Sequence, residues 1–264
     1  ITRWKSNRLQ YFKDAYPVFA FLAVWMDEAG LHDLVDVFGD ILQAGVYAVA
    51  GYGILDENVD GITSSPVEIL TAQALIAEYE TLALRLFGLT PINLDILHRM
   101  RSLFLAAEIK EKLARGKASP YTLDAPQGCG AKGANSVTPF MLCLERAGKA
   151  PLIEDYWQVF LLFGAVIQII DDWQDLESDL TAGHFSYVTL GREHLIDPQS
   201  PAKTALRMRE DSRQVQSTYR RCKEMIDEAR QILQRLNDPV LGYLVTVTNA
   251  RLDKYFREQL NLSV

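Results

Sequence analysis

Apolar residues recur at three- and four-residue steps along nearly the whole chain, the period of helices with one buried face. The pattern predicts helices over Tyr11–Ala29, Leu34–Asp60, Pro66–Phe87 and Asn93–Arg115. It predicts four more over Ser136–Ala147, Ile153–Asp179, Ala202–Leu236 and Val240–Leu260. The alternation expected of strands between turn pairs is absent. Helix ends are punctuated accordingly. Ser64, Ser65, Pro66 and Glu68 read as a cap, a proline in the first turn and an early acid. Gly88 and Pro91 bracket one turn, and Asn237, Asp238 and Pro239 form another. Lys117–Asn135 and Gly183–Ser200 read as loops. Long helices joined by short loops predict an antiparallel all-α bundle.

Composition narrows the function. The chain has 264 residues, 48% of them hydrophobic, which suits one large domain or two small ones, and the lack of a linker favours a single domain over residues 1–264. A net charge of −7 argues against a nucleic-acid-binding surface. Three cysteines (Cys129, Cys143, Cys222) and four scattered histidines (His32, His98, His184, His194) lack disulfide or zinc spacing. A reducing cytoplasm is the default reading. The longest apolar run, Val159–Ile170, is interrupted by Gln168 and is short of the roughly 20 residues of a membrane span. The chain begins at Ile1 rather than Met, so a removed N-terminal or targeting segment stays open.

Two acid clusters break the pattern of a buried core. In "IQIIDDWQDLESDL", Asp171, Asp175 and Asp179 fall at i, i+4 and i+8, one row on one helix face. Asp172 lies one step round, and Gln168 a turn below. Like charges at this spacing oppose a helix, as does their place at its negative end. In "GYGILDENVDG", Asp56, Glu57 and Asp60 form a second cluster, also behind an apolar helix. Gly51 and Gly53 in that helix would admit a ligand or a second helix backbone. Carboxylates are hard ligands that suit Mg²⁺, which takes one or two of them and fills its shell with water and phosphate oxygens. Two solvated helix ends are the plainer alternative. If the two ends meet across a cleft, two or three Mg²⁺ ions, or Mn²⁺, would relieve both.

With these motifs the chain resembles the isoprenoid synthases: trans-prenyl diphosphate synthases and class I terpene synthases. "LLFGAVIQIIDDWQDLESDLTAGHFSYVTL" is similar to their second aspartate-rich region, with Ile167 where Phe is usual and Gln168 kept. "DENVD" resembles the first, with Glu57 in place of an Asp. Asp171, Asp175 and Asp179 also match the spacing of the terpene-cyclase metal triad. The resemblance implies a terpene synthase-type helical bundle around a deep apolar pocket with Mg²⁺ at its mouth. "AKGANSVTPFMLCLERAGKAP" and "ARLDKYFRE" resemble diphosphate-contacting segments, which nominates Lys132, Arg251, Lys254 and Tyr255.

The departures favour a cyclase. The Arg-Arg-Gly of chain-elongating synthases is replaced by "GITSSPVEIL", and their Gly-Lys-Arg segment has no clear match in "RWKSNR", which offers only Arg3, Lys5 and Arg8. The expected reaction is ionisation of a linear allylic diphosphate of the farnesyl or geranylgeranyl class (C15–C25). Asp56, Asp60, Asp171 and Asp175 carry the catalysis, and Asp56, Glu57, Asp60, Asp171, Asp172, Asp175 and Asp179 the metal. The carbocation needs a dry pocket and aromatic faces. Tyr47, Tyr52, Phe140, Phe160, Phe163 and Gln168 are its candidate walls, and His184–Tyr187 a candidate lid. A trans-prenyl diphosphate synthase, a head-to-head condensing enzyme and a non-catalytic partner subunit are the alternatives. A homodimer is common for the fold.

Overall fold

The structure is a computed structural model that describes residues 19–59, 65–122 and 126–259. Arg3, Lys5, Arg8, Asp60, Ser64, Leu260 and the first part of the Tyr11–Ala29 helix lie outside the described residues. Every regular element among the described residues is helical, so the chain is all-α. The α-helices are α1 (19–28), α2 (His32–Asp36), α3 (Phe38–Val59), α4 (Pro66–Phe87), α5 (Pro91–Ala114) and α6 (Thr138–Arg146). They continue as α7 (Ile153–Gln174), α8 (Leu176–Ala182), α9 (Pro201–Glu210), α10 (Ser212–Leu236) and α11 (Pro239–Gln259). Turns of 3₁₀ helix occupy Pro126–Val137, Ala150–Leu152, Tyr187–Thr189 and Glu193–Leu195. These regularise parts of both segments expected to be loops.

The chain divides into two compact units, Ile1–Glu108 with Gly133–Trp157, and Ile109–Lys132 with Gln158–Val264. In the first unit, α3 lies beside α4. A Cβ on Gly51 would meet Ile76 Cγ1 at 2.7 Å and Ala72 O at 3.1 Å, so Gly51 admits the α4 backbone. Gly53 faces open space. Trp25 packs edge-on to Phe140 and Tyr156, at 6.1 and 6.5 Å between ring centroids. The α4–α5 turn follows its sequence signals. Gly88 closes α4 at φ 101°, and the buried Asn93 amide donates to Phe87 O and Gly88 O at 3.1 Å each.

In the second unit, the chain at Gly130 meets α7 backbone to backbone. A Cβ on Gly130 would stand 2.3 Å from Leu161 O, and one on Gly164 3.1 Å from Gly130. Only glycine allows this approach. α10 and α11 are joined by a polar cluster. Asp253 accepts from Tyr219 Oη (2.8 Å), Lys223 Nζ (3.2 Å) and Asn249 Nδ2 (3.2 Å), and Lys223 also donates to Asn249 Oδ1. These half-buried groups tie α11 to α10 at adjacent turns.

Three expected helices are each divided, the one over Leu34–Asp60 by the turn at Val37 between α2 and α3. Asp211 ends α9 and caps α10, its carboxylate accepting from Arg213 N and Gln214 N at 3.1 and 3.2 Å, as an N-cap acid does. Asp175 stands between α7 and α8. No unbroken apolar run reaches that length, yet two helices, Phe38–Val59 and Ala150–Gln174, are long and apolar enough to cross a membrane by length and composition alone, as core helices also can be. Of their apolar stretches, 39% and 50% are buried inside the protein.

Candidate functional site

The apolar face of α7 fixes where its acids point. Val166, Ile169, Ile170 and Trp173 are fully buried. Asp171 is therefore turned toward solvent, its side chain 43% exposed, and Asp175 is exposed. The helix is broken at Asp175, yet the helical hydrogen bonds run through the corner. Asp175 N donates to Asp171 O at 2.8 Å, and Asp179 N to Asp175 O at 2.9 Å. The row Asp171–Asp175–Asp179 thus keeps its spacing across the break. His184 N then donates to Asp179 O at 2.7 Å, and Gly183 at φ 73° ends α8.

Basic and phenolic groups from two other helices reach this row. Arg251 of α11 places Nη2 3.6 Å from Asp171 Oδ1. Tyr255, one turn on, has its hydroxyl pushed up to about 12, by burial first; Arg209 pulls it back, and the charges of Asp175 and Asp171 add to the rise. Arg209, in the last turn of α9, donates from Nη2 to Trp173 O (3.2 Å) and Gln174 O (3.3 Å). These carbonyls form the negative end of α7, which a guanidinium stabilises. Lys254 is exposed. The structure therefore brings together Asp171, Asp175, Arg251 and Tyr255 of the predicted residues and adds Arg209. An open depression beside them is lined by Gln174, Glu177, Ser178, Thr181, Ala182 and Arg209.

Asp172 belongs to a different environment. It is 4% exposed, accepts from Gln168 Nε2 at 2.9 Å, and accepts from the Tyr187 N–H at 3.2 Å. Burial pushes its carboxyl up to about 7. The Gln168 bond opposes that rise, Glu111 adds to it, and the Tyr187 N–H and Lys132 pull it back. Lys132, nominated for diphosphate, donates to Glu111 Oε2 at 2.8 Å, with side chains only 18% and 25% exposed. Tyr121 Oη donates to the other Glu111 oxygen. Of the candidate lid, Ser186 and Tyr187 are buried and His184 and Phe185 half-buried.

In the first unit, Asp56 and Glu57 are half-buried in the last turns of α3, which carry no basic residue. Of the candidate walls there, Tyr52 is buried edge-on to Phe104 at 4.8 Å, Phe140 is buried, and Tyr47 is half-buried with its hydroxyl accepting from Gln43. On α7, Phe160 is buried, while Phe163 and Gln168 are half-buried.

The donor set suits a hard divalent ion. Asp171 and Asp175 offer carboxylate oxygens in one open row, the one or two that Mg²⁺ takes from protein. Among the described residues no three His, Cys, Asp or Glu side chains gather closely enough to hold an ion alone. Asp171 and Asp175 alone would leave most of an ion's shell to water or another ligand.

Sequence reading missed Arg209, Glu111 and Gln214. Arg209 and Gln214 sit on polar helix faces that read as solvated, and Glu111 lies in the charged stretch "EIKEK". Compared with protein-family models, with curated proteins and with solved structures, the chain matches none.

Proposed function

We propose that the chain is a class I terpene synthase of the isoprenoid synthase type, ionising a linear allylic prenyl diphosphate to a carbocation that cyclises with release of diphosphate. One observation carries the reading. The acid row of α7 and the Arg-Tyr pair of α11, far apart in sequence, come together in the second unit, with Arg251 3.6 Å from Asp171. The resemblance of both segments to metal- and diphosphate-binding motifs implies such a pairing.

Asp171, Asp175 and Asp179 would hold divalent ions at the α7–α8 junction, and Asp56 and Glu57 carry the same donor chemistry at the end of α3. Bound Mg²⁺ would neutralise charge on the departing diphosphate. Arg251 supplies a charge-assisted donor to that anion, beside the acids rather than among them. Tyr255 stays protonated at neutral pH and can donate a hydrogen bond, since its hydroxyl is raised to about 12. Lys132 contributes only if its bond to Glu111 opens, because Glu111 already takes its ammonium. Phe160 and Phe163 on α7 offer aromatic faces to a cation.

The test is incubation of the purified chain with geranyl, farnesyl and geranylgeranyl diphosphates and Mg²⁺, with and without isopentenyl diphosphate, followed by mass spectrometry. Cyclic hydrocarbons or alcohols formed without isopentenyl diphosphate support a cyclase. Products that lengthen only when it is present would make the chain a trans-prenyl diphosphate synthase instead.

A further inference from the structure

The two adjacent acids of "DDWQD" face opposite ways. Asp171 is 43% exposed and lies beside Arg251, whereas Asp172 is 4% exposed with both carboxylate oxygens engaged inside the protein. One oxygen takes Gln168 Nε2, a turn back on α7. The other takes the backbone N–H of Tyr187, in a turn where Tyr187, Val188 and Thr189 are all buried.

That turn is held at further points. Gln214 of α10, itself buried, donates from Nε2 to Val188 O. Thr189 Oγ1 donates back to Ser186 O at 3.0 Å. Farther out, Gly183 O accepts from Gly116 N at 2.9 Å, and Glu193 Oε1 accepts from Ser119 N at 3.0 Å. The segment after α8 is therefore a strap fastened to α7 through Asp172 and to α10 through Gln214. A buried backbone N–H without its acceptor is costly, so Asp172 is needed where it stands.

We infer that Asp172 is a positioning residue and not a metal ligand: it fastens the Tyr187–Thr189 turn to α7 and so fixes the rotation of the helix end that presents Asp171 and Asp175. This rests on the proposed reading of Asp171 as a metal ligand, and it separates the two acids by role. Taking Asp172 to an ion would strip the acceptor from Tyr187 N–H and turn a buried side chain against the rotation set by Ile169, Ile170 and Trp173.

The test crosses two readouts: Mn²⁺ affinity in the presence of inorganic diphosphate, by electron paramagnetic resonance of free Mn²⁺, and amide hydrogen exchange at Tyr187. Asp171→Asn weakens Mn²⁺ binding about tenfold or more and leaves Tyr187 exchange unchanged. Asp172→Ala, which removes both acceptor oxygens where Asn would keep one, speeds Tyr187 exchange about tenfold or more, the equivalent of one lost hydrogen bond, and keeps most of the Mn²⁺ affinity. The unmodified protein gives a third arm, since saturating Mn²⁺ leaves Tyr187 exchange unchanged if Asp172 stays on its N–H. Loss of Mn²⁺ affinity in Asp172→Ala equal to that in Asp171→Asn, with Tyr187 still protected, overturns the inference. So does faster Tyr187 exchange on Mn²⁺ binding to the unmodified protein. If Asp171→Asn binds Mn²⁺ normally, the metal reading of the row fails, while Tyr187 exchange in Asp172→Ala still decides the anchor.

Discussion

Arg251 Nη2 lies 3.6 Å from Asp171 Oδ1, so a cation from α11 stands beside the acid row at the negative end of α7. Both side chains are nearly half-exposed, which makes the pair a weak contributor to stability. Under the proposed function, it places a guanidinium where a diphosphate held at the row would sit. Arg251→Gln should change the unfolding free energy by less than about 1 kcal/mol. It should lower kcat/KM for the allylic diphosphate about tenfold to a hundredfold, the worth of one lost charge-assisted hydrogen bond. Thermal unfolding and steady-state kinetics on one preparation check both halves.

Glycines test the packing around the two motifs. Gly130→Ala places a methyl 2.3 Å from Leu161 O and 2.8 Å from Ala165 N, both backbone atoms that cannot step aside. It should destabilise by about 1–3 kcal/mol, read from urea unfolding.

On α3 the neighbouring glycines should respond with opposite sign. A Cβ at Gly51 meets Ile76 and Ala72, so Gly51→Ala should destabilise. Gly53 has open space and a helical backbone, so Gly53→Ala should stabilise by about 0.5–1 kcal/mol. Differential scanning calorimetry of the pair is sufficient.

The Asp172 carboxyl predicts a pH dependence. Its value in the folded protein is about 7, raised from an ordinary 3.8. Between these values the folded state holds the proton and the unfolded state releases it. The contribution of Asp172 is therefore fully present below about pH 4 and is lost as pH rises toward 7, on the order of 4 kcal/mol in all. Other carboxylates slope the opposite way, so the comparison is with Asp172→Asn. In metal-free buffer, the stability advantage of the unmodified protein over the variant should shrink from pH 4 to 7 and level off above it. An advantage that grows over this window would contradict the buried, raised carboxyl.

Much of the fold was legible because particular residues punctuate it. Pro66 and Gly88 bound α4 where the pattern placed it, and Asn237 with Asp238 and Pro239 separates α10 from α11. The i, i+4, i+8 row was legible too, since helical geometry survives the break at Asp175. The breaks at Asp175 and Asp211 were not, because a single acid standing at a helix junction leaves the surrounding periodicity intact. The pairing of Lys132 with Glu111, and of Arg209 with the end of α7, depends on tertiary approach that periodicity does not encode. Asp171 and Asp172 are alike in sequence, and only the burial of Ile169, Ile170 and Trp173 tells which of them faces inward.

The most direct measurement is Mg²⁺-dependent diphosphate release from farnesyl and geranylgeranyl diphosphates, with product mass spectrometry, for the unmodified chain and Asp171→Asn/Asp175→Asn. The account predicts cyclic products and stoichiometric diphosphate from the unmodified chain, abolished by chelation and by the double substitution. Release that continues at the same rate in the double variant, or a folded chain that converts neither substrate with Mg²⁺ or Mn²⁺, would contradict it.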